Sequence, residues 1–261
     1  MKNYCVLKKL REISRLVESF NLDRKKELLE SIRIADIGDI KVNEMDDIFR
    51  KTSEIVASKK IPLLLSTDHL ATLYAIGAFF ENTKIVIFDA HCDFKDNYID
   101  DIVISNSIIN EKNRNVLSRF NGATWLRRFC EVGNPKLVCL VGVRACSEEE
   151  INSLKKNGIL YFSSCRINRN EGIKKELQEF LKGSDVYVSL DIDVFDPSIA
   201  PAVYYPEPNG IFFDKFSSLI GVMDKRVVGI DLCLHKILPE NSVTEFLAVK
   251  SLFEIISKCK V

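Results

Sequence analysis

The spacing of apolar residues along the chain predicts short strands that alternate with amphipathic helices. Six apolar runs have the length of a strand, and several lack polar alternation, as parallel strands buried on both faces do. The runs are 61–65, 84–88, 136–143, 159–162, 185–190 and 226–232. Helical periodicity lies between them, at 43–58, 70–80, 147–157, 171–182, 213–223 and 243–259. This order predicts an α/β fold built on a doubly wound, mainly parallel sheet.

The first 33 residues have a different pattern. Apolar residues recur there at helical spacing from Leu7 to Phe20, and a second amphipathic stretch carries Leu28, Leu29 and Ile32. Residues 1–33 are therefore predicted to be a helical N-terminal segment. Because no repeat, low-complexity tract or linker interrupts the chain, we expect a single domain over residues 1–261.

Composition narrows the class of protein. The chain is 46% hydrophobic, which excludes a disordered chain, and its 37 Lys and Arg residues balance 37 Asp and Glu residues. This balance predicts no nucleic-acid or anionic-lipid partner. No apolar run reaches the ~18 residues of a membrane span. The start of the chain is charged where a signal peptide is apolar, so a cytoplasmic location is expected.

Eight cysteines occur without any C-x-x-C pair. We expect them to be reduced thiols, several of them buried in apolar strands. Cys92 lies between His91 and Asp93, and strand alternation turns it to the opposite face. It is therefore predicted to be a core residue rather than a redox switch.

Acidic residues and histidines are concentrated where predicted strands end. His69 follows the first run, Asp89, His91 and Asp93 follow the second, and Asp191 with Asp193 follows the run at 185–190. Residues two apart share a face in extended chain, so these side chains can converge. Four such carboxylates cannot stay buried and ionised without counter-charge. Mixed Asp and His ligands favour Mn²⁺, Fe²⁺ or Zn²⁺ over Ca²⁺, and six ligands suffice for two ions that activate water.

Six longer motifs resemble one family. They are ADIGDI (35–40), DHLAT (68–72), DAHCDFKDNY (89–98), VGVRACSEEE (141–150), VSLDIDVFDPSIAP (188–201) and PEPNG (206–210). Together they resemble the ureohydrolases, which comprise arginase, agmatinase and formimidoylglutamase, and most closely the archaeal agmatinase-like proteins. The resemblance runs from about Asp36 to Lys258.

The resemblance implies a three-layer fold of the arginase and deacetylase type, with about eight mainly parallel strands and helices on both faces. It also implies a binuclear manganese centre that hydrolyses guanidino C–N bonds, and a homo-oligomer, either a trimer or a hexamer. By position, the metal ligands are His69, Asp89, His91, Asp93, Asp191 and Asp193. All six are present.

The substrate-recognition positions depart from the family. Asn106 takes the place of a catalytic His, and its amide cannot shuttle protons. Leu234 takes the place of a Glu that pairs with the substrate guanidinium, a contact that a methyl surface cannot make. Tyr204 and Tyr205 replace smaller residues and either shape an unusual substrate pocket or plug a site that no longer works. With Leu234 and Glu207 they are the predicted substrate-binding residues.

Further polar residues near these motifs have two interpretations each. His235 is either a relocated proton shuttle or is turned away from Leu234 by strand alternation, and we favour the second. Asp231 and Asp196 are expected to orient ligands or loops, although Asp196 is equally suited to capping the turn at Pro197.

Three functions remain open at this stage. The first, which we favour, is a dinuclear manganese hydrolase of a linear guanidino, amidino or amide compound other than arginine or agmatine. The second is an agmatinase or arginase whose missing groups come from unaligned residues. The third is a metal-binding homologue without activity, which intact ligands argue against because unused carboxylate clusters destabilise a protein.

Overall fold

The computed structural model describes residues 2–42, 44–79, 82–99, 114–224, 226–234, 236–238 and 240–260. Its helices are α1 (Lys2–Ile13), α2 (Asp46–Ala57), α3 (Leu70–Ile76), α4 (Arg114–Arg119), α5 (Trp125–Val132), α6 (Glu148–Asn157), α7 (Ser164–Asn168), α8 (Ile173–Leu181), α9 (Phe213–Ile220) and α10 (Val243–Ile256). Its strands are β1 (Phe20–Asn21), β2 (Lys26–Glu27), β3 (Leu63–Ser66), β4 (Lys84–Phe88), β5 (Val138–Val143), β6 (Leu160–Ser163), β7 (Val186–Asp191) and β8 (Val227–Cys233). No helix among these residues is long and apolar enough to cross a membrane.

The main sheet is parallel throughout, which confirms the predicted fold class. Within the described residues it has six strands in the order β3-β8-β7-β4-β5-β6, and each pairs with its neighbours in parallel register. These strands coincide with the six apolar runs of the sequence. The sheet formed by the described residues is smaller than the eight or so strands that the family resemblance implied.

Alternate residues of the central strands fill two separate apolar layers. In β4, Val86 and Phe88 pack on one face with α1, α8, α9 and α10, whereas Ile85 and Ile87 pack on the other with α2, α3, α5 and α6. The side chains of a strand alternate between faces, so a strand that serves two apolar layers shows no polar alternation. The sheet is consequently the middle of three layers.

The prediction of helix across residues 1–33 is wrong beyond Ile13. A short antiparallel hairpin follows α1, in which Phe20 pairs with Glu27 and Asn21 with Lys26. The turn between its strands requires a positive φ of 50° at Lys25, which a helix does not allow. Leu28, Leu29 and Ile32 still contact the apolar layer beside α1, so their apolar spacing reflects burial in turns.

The hairpin is attached to α10 through a buried carboxylate. The side chain of Glu254 is 1% exposed. It accepts hydrogen bonds from Asn21 Nδ2 at 3.0 Å and from Arg24 at 2.8 Å, and Arg24 also donates to Ser217 Oγ at 2.9 Å. A buried carboxylate is costly unless it is paired, so this ion pair is expected to fix the N-terminal segment to the body of the protein.

We expect Arg24→Met to lower the free energy of unfolding by about 2 kcal/mol, because Glu254 loses its cation while it stays buried. The measurement is urea denaturation. Lys51→Met is the control, since its partner Glu54 is exposed and the pair contributes about 0.5 kcal/mol or less. Equal losses in the two variants would contradict the role given to Glu254.

Candidate metal centre

The predicted ligands lie at or after the ends of three strands, β3, β4 and β7, which end at one edge of the sheet. β3, β8, β7 and β4 lie side by side and parallel, so their carboxyl ends point the same way. In parallel sheets this edge is where ligands bind. His69 stands directly before α3, where Asp68 Oδ1 accepts the Leu70 N–H at 2.9 Å. Asp89 directly follows β4, and Asp191 is the last residue of β7.

The first group of side chains surrounds His69. Its Nδ1 lies 3.0 Å from Asp89 Oδ2, 3.0 Å from Asp93 Oδ2 and 3.7 Å from Asp191 Oδ2. His69, Asp89 and Asp191 are all buried. One ligand atom from each of these three lies within 4.8 Å of the others, a spacing that could hold a metal ion.

The second group forms around His91. Its Nδ1 lies 2.9 Å from Asp193 Oδ2 and 3.4 Å from Asp89 Oδ1. Asp89, His91 and Asp193 also lie within 4.8 Å of one another. Asp89 therefore belongs to both groups, with one carboxylate oxygen toward each histidine. A carboxylate in this position can bridge two metal ions.

A hydrogen-bonded chain fixes the orientation of His69. Its Nε2 lies 2.9 Å from Ser189 Oγ, and that hydroxyl donates to Asp231 Oδ1 at 2.8 Å. Because the Ser189 proton is used by Asp231, Nε2 must be the donor to Ser189. Nδ1 then turns toward the carboxylates, where it is buried and makes no hydrogen bond of good geometry although two carboxylate oxygens lie 3.0 Å away. A cation between this nitrogen and the carboxylates would satisfy all of these atoms, so the residues fit a metal ion.

Electrostatic strain in the cluster shows in its pKa values. Burial by itself lowers the pKa of both histidines, but the carboxylates outweigh it, so the pKa of His69 is well above its usual value and that of His91 rises to about 12. Burial and repulsion from Asp89 raise the pKa of Asp93 to about 6. Burial and repulsion from Asp191 and Asp89 raise the pKa of Asp193 to about 7. The metal-free protein thus holds protons where a cation would neutralise the charge.

The loop that carries Asp93 is held from two sides. Asp93 has a positive φ of 49°, and Trp125 Nε1 donates to its Oδ2 at 2.8 Å. Gly142 of β5 has a φ of 100°, and a Cβ there would come within 2.4 Å of Val194 and 3.3 Å of the Asp89 carbonyl. Only glycine allows β5 to approach the two ligand loops this closely.

Arg144 organises the loop after β7 through the backbone. Its guanidinium donates to the carbonyls of Asp193 at 2.7 Å, Val194 at 3.1 Å and Glu207 at 3.0 Å. Asp196 closes the same loop, because its carboxylate accepts the N–H groups of Ser198 and Gly210 at 3.0 Å each. These contacts agree with the interpretation of Asp196 as a residue that caps the turn at Pro197.

The predicted substrate-binding residues differ in where they lie relative to the ligands. Tyr205 stands at the surface with its ring centroid 6.0 Å from that of His91, edge to face. Tyr204 and Glu207 lie in the same loop, partly buried. Leu234 is fully buried in the apolar layer on the α10 side, so the structure does not place it at the surface of the site. Asn106 and His235 lie outside the described residues, and their roles stay predictions.

Three supporting residues were missed from the sequence. Trp125 is the only tryptophan of the chain, Ser189 lies two residues before Asp191, and Arg144 belongs to the quoted VGVRACSEEE motif. The available signal was proximity to Asp191 for Ser189 and membership of the VGVRACSEEE motif for Arg144. Trp125 reaches Asp93 across 32 residues, and no local pattern shows that contact.

The architecture and the two carboxylate–histidine groups define a parallel α/β protein with a candidate binuclear site. The arginase family model matches residues 8–257, so the chain belongs to the arginase family, and the predicted family is confirmed. The chain is 30% identical to the N(1)-aminopropylagmatine ureohydrolase of Thermococcus kodakarensis, over 85% of this chain and 73% of that protein.

Solved structures show the same fold. The agmatine ureohydrolase of Thermoplasma volcanium superposes with a TM-score of 0.81 at 28% identity, over 97% of this chain and 82% of that one. A formiminoglutamase variant of Trypanosoma cruzi with Mn²⁺ has a TM-score of 0.81 at 16% identity, over 99% of this chain and 86% of that one. At 16% identity, the likeness to the formiminoglutamase shows a shared fold.

Ser189→Ala tests the hydrogen-bonded chain behind His69. Removing the hydroxyl leaves buried polar atoms of His69 and Asp231 unpaired, so we expect a loss of about 1–3 kcal/mol in the unfolding free energy of the metal-free protein. Ser251→Ala is the matched control, because its hydroxyl is equally buried and has no hydrogen-bond partner. It should cost nothing. If both variants lose the same stability in urea, the chain does not support His69.

Proposed function

We propose that this protein is a binuclear metal-dependent hydrolase of C–N bonds in a linear guanidino, amidino or amide compound. The observation that carries the proposal is the pair of carboxylate–histidine groups that share Asp89 at the carboxyl edge of the sheet. The relatives named as ureohydrolases support the reaction class. The proposed substrate is less cationic than agmatine.

His69, Asp89, Asp93 and Asp191 would hold one ion, and Asp89, His91 and Asp193 the other. Mn²⁺ suits these oxygen and imidazole donors, and the Mn²⁺ of the Trypanosoma cruzi relative supports that choice. When bound, two such ions supply an activated water and polarise the bond to be hydrolysed.

The chain itself contributes orientation. Ser189 and Asp231 keep Nδ1 of His69 directed at the carboxylates, and Trp125 holds Asp93 from the side. Metal-binding histidines depend on such partners for their tautomer and position. Arg144 is engaged with backbone carbonyls and fixes the loop that carries Asp193 and Tyr205.

The altered substrate preference rests on the residues at the recognition positions. Leu234 is an apolar residue within an apolar layer, so it gives a guanidinium no bidentate partner. Tyr205 presents an aromatic ring beside His91 at the surface of the site. Neither residue offers a carboxylate to a guanidinium, which supports a substrate less cationic than agmatine.

A homo-oligomer, either a trimer or a hexamer, and a cytoplasmic location remain predictions from the family resemblance and the composition.

Metal binding is the first test. We expect the purified protein to bind two Mn²⁺ ions. A free Mn²⁺ concentration about a hundred times the Kd should raise the free energy of unfolding by about 2.7 kcal/mol. Asp191→Asn should lose at least one ion by elemental analysis. Asp214→Asn on α9 is the control, since Asp214 is exposed and remote from the ligand groups, and it should keep both ions. Unchanged metal content in Asp191→Asn would contradict the ligand assignment.

Activity is the second test, with urea and ammonia release measured across guanidino, formimino and amide compounds in Mn²⁺. Loss of a charge-assisted contact costs about 1.5–3 kcal/mol, so we expect agmatine and arginine turnover to be at least about tenfold below that of a neutral compound. Leu234→Glu with Asn106→His should raise agmatine turnover, whereas Leu234→Gln with Asn106→His, which adds no charge at residue 234, should not.

The outcomes separate the three functions. Agmatine turnover of about ten per second or more by the unmodified protein, within the usual range for enzymes, would make it an agmatinase. Metal binding without release from any compound would favour the inactive homologue. Asp89→Asn serves as the blank, because any release that survives it comes from a contaminant.

A further inference from the structure

Two thiols lie next to each other directly beneath the candidate metal centre. Cys92 separates His91 from Asp93 and is fully buried in the apolar layer that contains Phe94 and Trp125. Cys146, in the loop between β5 and α6, is exposed. Both are free thiols. The sequence predicted Cys92 to be a core residue, which its burial bears out, but no local pattern shows that Cys146 lies beside it.

Backbone pairing brings the two cysteines together. A parallel bridge joins His91 to Ala145, and the Ala90 carbonyl accepts the N–H groups of Arg144 and Ala145 at 2.9 Å each. The residue after each bridged one is a cysteine. Neighbouring strands are about 4.7–4.9 Å apart, within the Cα separation of about 4.4–6.8 Å that a disulfide requires. The Cys92 thiol is close enough to Cys146 to lower its pKa.

The surroundings determine which thiol reacts first. Cys92 is fully buried, so solvent does not reach its thiol. Cys146 is accessible, and burial and Glu150 raise the pKa of its thiol against the lowering effect of Cys92. Glu150 is held in place, because its carboxylate accepts the N–H of Ser147 at 2.9 Å and that of Phe94 at 3.3 Å. An oxidant in solution therefore reacts first with Cys146. Because the pKa of Cys146 is raised, this thiol reacts more slowly than a thiol of low pKa.

We propose that Cys92 and Cys146 form an intramolecular disulfide when the protein meets a peroxide. The Cys146 thiol attacks one peroxide oxygen, the O–O bond breaks, and the products are a sulfenic acid and water for hydrogen peroxide. The Cys92 sulfur then displaces the sulfenic oxygen, which leaves as a second water. Two thiols are oxidised by two electrons in total, and one peroxide is reduced.

The disulfide would disturb the ligands on both sides of Cys92. A disulfide fixes its two Cβ atoms about 3.5–4.5 Å apart, so it would tie Cys92 to the loop of Cys146. Any adjustment of Cys92 to the bond would be transmitted to its neighbours His91 and Asp93, and Asp93 has a positive φ of 49°. This consequence, a weaker metal site, rests on the proposed function, whereas formation of the bond does not.

Peptide mapping without reductant tests the bond itself. Trypsin places Cys92 in peptide 85–95 and Cys146 in peptide 145–155, each with a single cysteine. After hydrogen peroxide, we expect these peptides as one cross-linked species that dithiothreitol separates. Cys146→Ser and Cys146→Ala should lack it. Cys165→Ser is the matched control, because Cys165 is another exposed thiol and its loss should leave the cross-link intact.

Absence of the cross-linked species, with Cys146 unreacted or oxidised singly to sulfinic acid, would overturn the proposal. So would cross-links that join Cys92 or Cys146 mainly to other cysteines. Either result would leave Cys92 as a structural thiol, as its sequence position predicted.

Metal affinity provides the second readout. Peroxide should weaken Mn²⁺ binding of the unmodified protein by about tenfold or more, the usual effect of disturbing ligand support, with recovery in dithiothreitol. Cys146→Ser should keep its affinity in peroxide, and Cys165→Ser should behave as the unmodified protein does. Equal loss in Cys146→Ser would contradict the link to the metal site. If the reduced protein binds no Mn²⁺, the proposed function fails, and the peptide map still decides the disulfide.

Discussion

Repulsion among buried carboxylates is the constraint on which the rest of this structure depends. Asp89, Asp93, Asp191 and Asp193 meet at one sheet edge with two imidazoles as their nearest titratable counterparts. Such a cluster is stable only if cations or protons neutralise its charge and if hydrogen bonds satisfy the remaining polar atoms of its side chains. Ser189, Trp125 and Arg144 are explained by that requirement, since each fixes a ligand or its loop from behind.

The sequence predicted those parts of the fold that follow from a single local property, such as apolar burial or strand geometry. The apolar runs form buried parallel strands, because burial on both faces is the main requirement on such a strand and is visible in its composition. The predicted ligands lie together because residues two apart at a strand end point to the same side. The N-terminal hairpin was missed because Leu28, Leu29 and Ile32 are buried from turns at a spacing that imitates a helix. Contacts between distant segments, such as Trp125 with Asp93 and Cys92 with Cys146, leave no periodic signal in the chain.

The candidate site differs in structure between its predicted ligands and the residues around them. The six predicted ligands lie together, while the position that resembles a guanidinium-binding acid is a leucine packed into an apolar layer. The ligands lie at strand ends and the predicted recognition residues Tyr204, Tyr205 and Glu207 lie in one loop, whereas Leu234 directly follows β8 in the apolar layer. Loops tolerate substitution more readily than strand ends that carry a charged cluster.

The ion pair between Arg24 and Glu254 also has a consequence for the order in which the protein is made. A ribosome releases Arg24 long before Glu254, 230 residues later. Until then, the hairpin has no partner for its cation, and Val6, Leu10 and Ile13 of α1 lack part of the apolar layer that covers them. This segment is made well before α10 and therefore completes its packing late, with apolar side chains exposed during translation.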